Sequence, residues 1–414
     1  RKMPLVTGRV AIGKKRTPEL TLKVPKAAVR LWSPQDPYLY GLRLRLYEGS
    51  RIIDEVDSYT ALRTVRRVRD EILLNGQPVY LRMVLDQGYY PDGLWTAPSE
   101  AALRKDIQLA MDLGFNGARL HQKVFEPLYF KHADELGFLV IAEYPDWNGG
   151  FSSRWEVTDE YRETVDREWG TVVADLHNHP SIIAWGVFNE FGPKNGHKYN
   201  TGAGGGFWSR YPPARRTAIV KKHYDFVRQV VSKVRKHDLQ RRPVHDSSGW
   251  IHVDTDIWSF HEYKQNPEKF GEILQQLPAK FVDGHKGQPM FVAEYAGVGI
   301  DLGGPYGKNP KRFTPGYPGA SGLPKTAAEA LERIGSLTAE IYKVPNITGF
   351  CCTQLYDVEH EKNGLLLYDR KPKFSKSALR HIFDGRGQKG RWKLATGASE
   401  KLLRARKTIT KKKR

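Results

Sequence analysis

The chain has 414 residues, 40% hydrophobic and 11% aromatic, enough for a large core and for more than one ordinary domain. No run of about 18 apolar residues occurs, which excludes a membrane-spanning helix, and Arg1-Lys2-Met3-Pro4 lacks the apolar segment of a signal peptide. The formal charge of +20 invites a polyanionic partner, but much of the excess lies between Arg9 and Arg16, between Arg63 and Arg69, and in the tail from Lys401 to Arg414; this distribution argues against specific nucleic-acid binding.

Residues 1–70 read as β-structure. Leu20-Thr21-Leu22-Lys23-Val24 alternates, as does Leu42 to Tyr47, and Glu48-Gly49-Ser50-Arg51 turns the chain into Ile52-Ile53-Asp54-Glu55-Val56. This is the material of an immunoglobulin-like β-sandwich. Such a sandwich needs about seven strands, and only four or five are visible, so the amino end reads as cut. From about residue 72, strands alternate with amphipathic helices, the pattern of a parallel α/β fold. Val79–Val84 is a first strand, followed by a loop with Asp86, Tyr89, Tyr90 and Trp95. Ser99 caps a helix that stops at Gly114, and Phe115–Leu120 ends near Arg119 and His121. Pro127 opens a helix closed by Gly137, and Phe138–Ala142 leads to Glu143-Tyr144. Thr158 caps a helix through Leu176. Ser181–Glu190 is the fourth strand, Pro243–Asp246 the fifth, and Asp256–Phe260 the sixth, closed by His261-Glu262-Tyr263. Gln288–Tyr295 carries Glu294, and Ile347–Leu355 ends near Asp357 and Glu359. Gly202–Gly206 reads as a linker, and 301–324 as a rim loop or lid. The count is that of a (β/α)₈ barrel over residues 71–385, with a basic tail over 386–414 expected to be disordered. Cys351 and Cys352 are adjacent in a strand and point to opposite faces, so they read as small buried hydrophobes.

The chemistry concentrates in two of these strands. Ser181 to Phe188 is apolar and bounded by Pro180 and Gly192-Pro193, as a strand buried on both faces requires. Asn189-Glu190 follows at its carboxyl end, where a parallel barrel places its active site. Met290 to Ala293 repeats the design and delivers Glu294 beside Tyr295. Each glutamate alone could be an exposed strand end or an ion pair with an arginine. Two on one rim are what two-carboxylate chemistry needs. No His-x-x-x-His or cysteine cluster appears, so neither a metal nor another cofactor is expected.

Leu31-Trp32-Ser33-Pro34 with Pro37-Tyr38-Leu39-Tyr40, Leu73 to Arg82, His179 to Glu190, Phe291 to Tyr295, and Gln354 to Glu359 with Asn363-Gly364-Leu365 together resemble glycoside hydrolase family 2. The resemblance covers roughly residues 20–385. It implies an immunoglobulin-like domain before a catalytic (β/α)₈ barrel, and a carbohydrate substrate cleaved from its end, β-galactosidase-like first and β-glucuronidase-like next. It implies Glu190 as general acid then base, Glu294 as nucleophile with retention, Asn189 on the sugar 2-hydroxyl, and Tyr263 hydrogen-bonded to Glu294. Arg119 and Arg82 would stand at inner barrel positions. His121, His261, Asp86, Trp95, Trp147, Trp208 and Asp357 are subsite candidates, each equally suited to a rim or packing role. The family's first, jelly-roll domain has no counterpart, and Arg119-Leu120-His121-Gln122 and Leu85-Asp86-Gln87-Gly88-Tyr89 depart from the versions of the best-known members. Sugar specificity therefore does not carry over. The competing reading is a non-catalytic carbohydrate- or polyanion-binding protein on a degenerate barrel. A homo-oligomer stays open, and so do cytoplasmic and secreted locations.

Overall fold

The computed structural model describes residues 4–13, 17–146, 157–191, 213–249, 252–277, 285–302 and 322–385. The linker Gly202–Gly206, Trp147, Trp208, the greater part of the 301–324 loop and the 386–414 tail lie outside the described residues.

The amino-terminal part opens with a hairpin of β1 (Tyr40–Glu48) and β2 (Arg51–Thr60), turned at Gly49, whose φ of 61° suits a residue without Cβ. One face pairs Arg43 with Asp57 at 2.6 Å and Arg45 with Glu55 at 2.5 Å. Opposite them, Leu44, Leu46 and Val56 remain exposed. The expected strand Leu20–Val24 is not one: it runs without a ladder partner. Alternation records which face a residue takes, and a strand also needs a neighbour to bond.

A three-stranded antiparallel sheet of β3 (Val65–Val68), β4 (Glu71–Leu74) and β5 (Gln77–Pro78) follows, running across residue 70. Its Val65, Ile72 and Leu74 join Trp32 and the barrel's inner residues Leu81, Leu139, Ile183 and Phe291 in one core cluster. The sheet thus plugs the barrel from below. Trp32 Nε1 donates to Asp134 O at 2.8 Å, and Arg63 donates to Pro180 O and Ile182 O, each at 2.8 Å.

Eight parallel strands form the barrel wall: β6 (Leu81–Asp86), β7 (Gly117–Leu120), β8 (Leu139–Glu143), β9 (Ile182–Asn189), β10 (Val244–Ser248), β11 (Trp258–Glu262), β12 (Met290–Ala296) and β13 (Ile347–Thr353). Their ladder order is β10-β9-β8-β7-β6-β13-β12-β11, the chain order bent into a ring. Between β10 and β11 no ladder forms among the described residues, and side chains bridge the gap. His245 Nε2 meets Ser259 Oγ, Ser248 Oγ lies 2.7 Å from His261 Nε2, and His252 in the connecting loop spans Asp246 Oδ1 (2.7 Å) and Ser259 O (2.8 Å). One backbone bond, Asp256 N to Val244 O at 2.8 Å, accompanies them.

Helices α1 (Glu100–Asp112), α2 (Pro127–Leu136), α3 (Asp159–Leu176), α4 (Pro213–His237), α5 (Pro267–Gln275), α6 (Ala327–Tyr342) and α7 (Lys376–Phe383) are the outer elements. Ser99 Oγ accepts from Ala102 N at 3.2 Å and Thr158 Oγ1 from Tyr161 N at 3.1 Å, as the capping residues require, and Gly137 ends α2 at φ 73°. No helix among the described residues is long and apolar enough to cross a membrane. Along β6, Leu81, Met83 and Leu85 share the inner cluster. The two-residue period then turns Arg82 outward, where its Nε donates to Gly114 O at 3.3 Å. Arg82 is not an inner-barrel residue, which corrects its expected place.

Candidate active site

At the carboxyl ends of β7, β8, β9, β11 and β12 a charged cluster is built around Arg119, whose side chain has no exposed surface. Its Nε donates to Glu143 Oε1 at 2.5 Å and its Nη1 to Ala293 O at 2.7 Å. Its Nη2 reaches Asn189 Oδ1 at 2.6 Å and Glu294 Oε1 at 2.9 Å, with His121 Nδ1 at 3.0 Å. Guanidinium has no acceptor, so the Asn189 amide must turn its oxygen to Arg119, which aims its NH₂ elsewhere. Asn189 N is fixed in turn by Asp146 Oδ2 at 2.9 Å. Gly186 makes the packing possible: a Cβ there would stand 2.6 Å from Glu143 Cγ.

Glu294 accepts from Tyr263 OH at 2.6 Å through its other oxygen, and His261 Nδ1 lies 3.3 Å from the same atom. Burial alone would push this carboxyl up. His261, Arg119, His121 and the Tyr263 hydroxyl outweigh it and hold the carboxyl well below the usual range. Glu190 follows β9 with φ 47°, a left-handed conformation that costs a non-glycine residue roughly 1–3 kcal/mol and clusters at functional sites. Its Oε1 lies 2.8 Å from His261 Nδ1, while His261 Nε2 is 2.7 Å from Ser248 Oγ. One oxygen of Glu190, one of Glu294 and a nitrogen of His261 all lie within 4.8 Å of one another. These three could chelate a cation in principle. Glu294 Oε1 is held by the Arg119 guanidinium and Oε2 by the Tyr263 hydroxyl, and the fixed positive charge of Arg119 beside them opposes a cation, so the donor set fits a metal poorly.

The structure brings together Glu190, Glu294, Asn189, Arg119, Tyr263, His121 and His261. It sets Asp86 and Asp357 apart. Asp86 is buried, bonded to Gly88 N at 2.9 Å and to Tyr356 OH. Asp357 is paired with Lys373 Nζ at 2.5 Å with neither side chain exposed. Sequence reasoning overlooked Glu143 and Asp146. Glu143 had the signal, a carboxylate ending an apolar strand, whereas Asp146 lies three residues beyond it in an irregular stretch. The cavity bounded by Arg69, Asp70, His285, Lys286, Gln288 and Asn346 involves none of these residues.

A parallel eight-stranded barrel whose upper rim holds two glutamates within about 5 Å defines the class of two-carboxylate barrel proteins. Within that class, the family model for "Glycosyl hydrolases family 2, TIM barrel domain" matches residues 65–385, and "Glycosyl hydrolases family 2" matches residues 6–63. The chain belongs to glycoside hydrolase family 2. A putative β-glucuronidase of Formosa agariphila is 33% identical over 178 residues, 42% of this chain and 16% of the relative. A β-galactosidase of Pseudoalteromonas haloplanktis is 28% identical over 201 residues, 44% of this chain and 18% of the relative. Among solved structures, the β-galacturonidase of Eisenbergiella tayi, bound to galacturonate, superposes with TM-score 0.68 at 18% identity, over 88% of this chain and 61% of that one. The β-glucuronidase of Bifidobacterium dentium gives TM-score 0.68 at 20% identity, over 86% and 55%. These matches span less than two thirds of each relative's length.

Proposed function

We propose that this chain carries the catalytic barrel of a retaining, exo-acting β-glycoside hydrolase, with Glu294 as nucleophile and Glu190 as acid and then base. The observation that carries the reading is that one oxygen of Glu190 lies within 4.8 Å of one oxygen of Glu294 at the same rim, the close setting of two carboxyl groups that a retaining mechanism uses. In the first step an oxygen of Glu294 attacks the anomeric carbon. The bond to the leaving oxygen breaks, and Glu190 gives that oxygen its proton. Water then attacks the same carbon, Glu190 takes the water's proton, and Glu294 leaves as the carboxylate. Arg119 and Tyr263 keep Glu294 ionised and aimed before attack, and the Asn189 NH₂ is the donor for a hydroxyl of the sugar. His261 Nδ1 touches both carboxyl groups, 2.8 Å from Glu190 Oε1 and 3.3 Å from Glu294 Oε2. A terminal β-galactoside is the first substrate to try and a β-glucuronide the second, since relatives of both names match.

The two glutamates are told apart with an aryl glycoside whose leaving group needs little protonation. Glu190→Ala should form the glycosyl-enzyme and stall; azide, which needs no general base, should restore turnover and yield the β-glycosyl azide. Glu294→Ala should trap no covalent sugar and should give the α-azide by direct attack. The same anomer from both variants, or a covalent sugar on Glu294→Ala, would reverse or remove the assignment. A wild type inert on aryl β-galactosides and aryl β-glucuronides alike would favour the non-catalytic reading.

A further inference from the structure

The loop that leaves β6 is held more firmly than its surface position explains. Gly88 N donates to Asp86 Oδ1 and lies 2.9 Å from the Tyr356 hydroxyl; at φ 66°, a Cβ there would meet Lys123 Nζ and Phe125 Cζ at 2.8 Å. Lys123 Nζ, nearly buried, donates to Gly88 O at 3.1 Å and Trp95 O at 2.8 Å. On the other side Arg370 Nη2 donates to Tyr89 O at 2.6 Å and Tyr368 OH to Tyr90 O at 2.8 Å. Tyr90 and Leu94 bond each other in both directions, and Leu94 takes a φ of 52°. A branched apolar residue persists in that conformation only where its surroundings impose it, and such strain collects at ligand clamps.

This anchored loop displays apolar surface. Leu94 is 55% exposed and Trp95 43%, with the Tyr89 ring 6.3 Å from the indole. Val124 and Leu128, exposed at 36% and 40%, flank the adjoining segment, which Ala97 N joins through Glu126 Oε1 at 3.1 Å. Both segments begin at the active-site rim. His121 N donates to Asp86 O at 2.7 Å, and Gln87 Nε2 to Gln354 Oε1 at 2.7 Å, the residue after Thr353, whose hydroxyl lies 3.1 Å from Tyr263 OH. The sugar under attack must sit over Glu294, inside that rim. A ring that met Trp95 while Glu294 held the anomeric carbon would be the next one along the substrate.

We propose that Trp95, backed by Tyr89 and flanked by Leu94 and Val124, is a preformed platform for the ring of the leaving group, on whose apolar face the indole stacks. The proposal rests on the hydrolase reading and adds a subsite to it. A rigid indole orders nothing on binding, so stacking is gained without the entropy of freezing a loop.

The test compares wild type with Trp95→Ala on β-galactosyl fluoride, whose leaving group has no ring, on an aryl β-galactoside and on a β-galactosyl disaccharide, or on the same series for the sugar that wild type cleaves. The expected loss in kcat/KM is about tenfold on a ringed leaving group, carried by KM, and at most about twofold on the fluoride, with Trp95→Phe restoring most of it. A loss on the aryl compound alone or the disaccharide alone supports the platform and identifies its ring. Equal losses on all three substrates, or none on either ringed one, overturn it. Were wild type inert on all three, the hydrolase reading would fail. Titration calorimetry of the disaccharide would then decide the platform separately, unchanged affinity in Trp95→Ala overturning it.

Discussion

An arginine without exposed surface is tolerable only where each guanidinium nitrogen finds an acceptor and its charge is answered, and Arg119 meets both conditions through Glu143, Glu294, Asn189 and Ala293 O. Asp146, beside this cluster, has no such cation among the described residues. Asn189 N and Gln122 Nε2 donate to its two oxygens, yet burial outweighs them and pushes its carboxyl from 3.8 up to about 8. The folded state therefore holds a proton that the unfolded chain releases near pH 4. The stability from this group is present below that pH and is lost as pH rises through about 8. Asp146→Asn cannot titrate. Whatever constant amount it costs, its melting temperature should approach that of wild type as pH goes from 5 to 8.5. Parallel curves would show that Asp146 is ionised throughout.

Strands and helix caps are written locally, in a two-residue period, in Ser99 and Thr158, in Gly137, and they were legible before the fold was known. So were Glu190 and Glu294, because a carboxylate closing an apolar strand has few places to go. What could not be read was which way a side chain turns at a strand's end. Arg82 went outward by register, and Asp86 and Asp357 were drawn into buried pairings by partners distant in sequence, Tyr356 among them. Asp357 and Lys373 illustrate the cost of such a pairing. Burial pushes the acid up to about 6 and the amine down, so desolvation limits the ion pair from both sides. Lys373→Met would leave a buried carboxyl with Gly364 N as its remaining donor, and should lose about 3–5 kcal/mol in denaturant unfolding. Adding Asp357→Asn should recover most of that loss. A single variant within about 1 kcal/mol of wild type would mean that Asp357 is already neutral in the fold.

Over the whole molecule, the segment before the barrel is part of its foundation: Trp32, Val65, Ile72 and Leu74 fill the lower end, so the barrel's inner core is continuous with Trp32 and the three-stranded sheet. The wall above is not uniform. Seven neighbouring strand pairs are joined by backbone ladders, and the eighth, β10 against β11, is tied among the described residues chiefly by side chains, His245 to Ser259, Ser248 to His261, and His252 between Asp246 and Ser259 O. Glu190, which follows β9 and bonds to Ser248 O of β10, meets His261 of β11 across that tie. Solvent deuterium is therefore expected to enter this barrel at one stave before the others. Amides facing the β10–β11 gap should exchange sooner than those of β8 and β9, because a few side-chain bonds can release without unzipping a ladder. Each such opening would part Glu190 from His261 while Glu294 stays clamped by Arg119. Uniform protection around the wall would mean that the side-chain tie is as tight as a backbone seam.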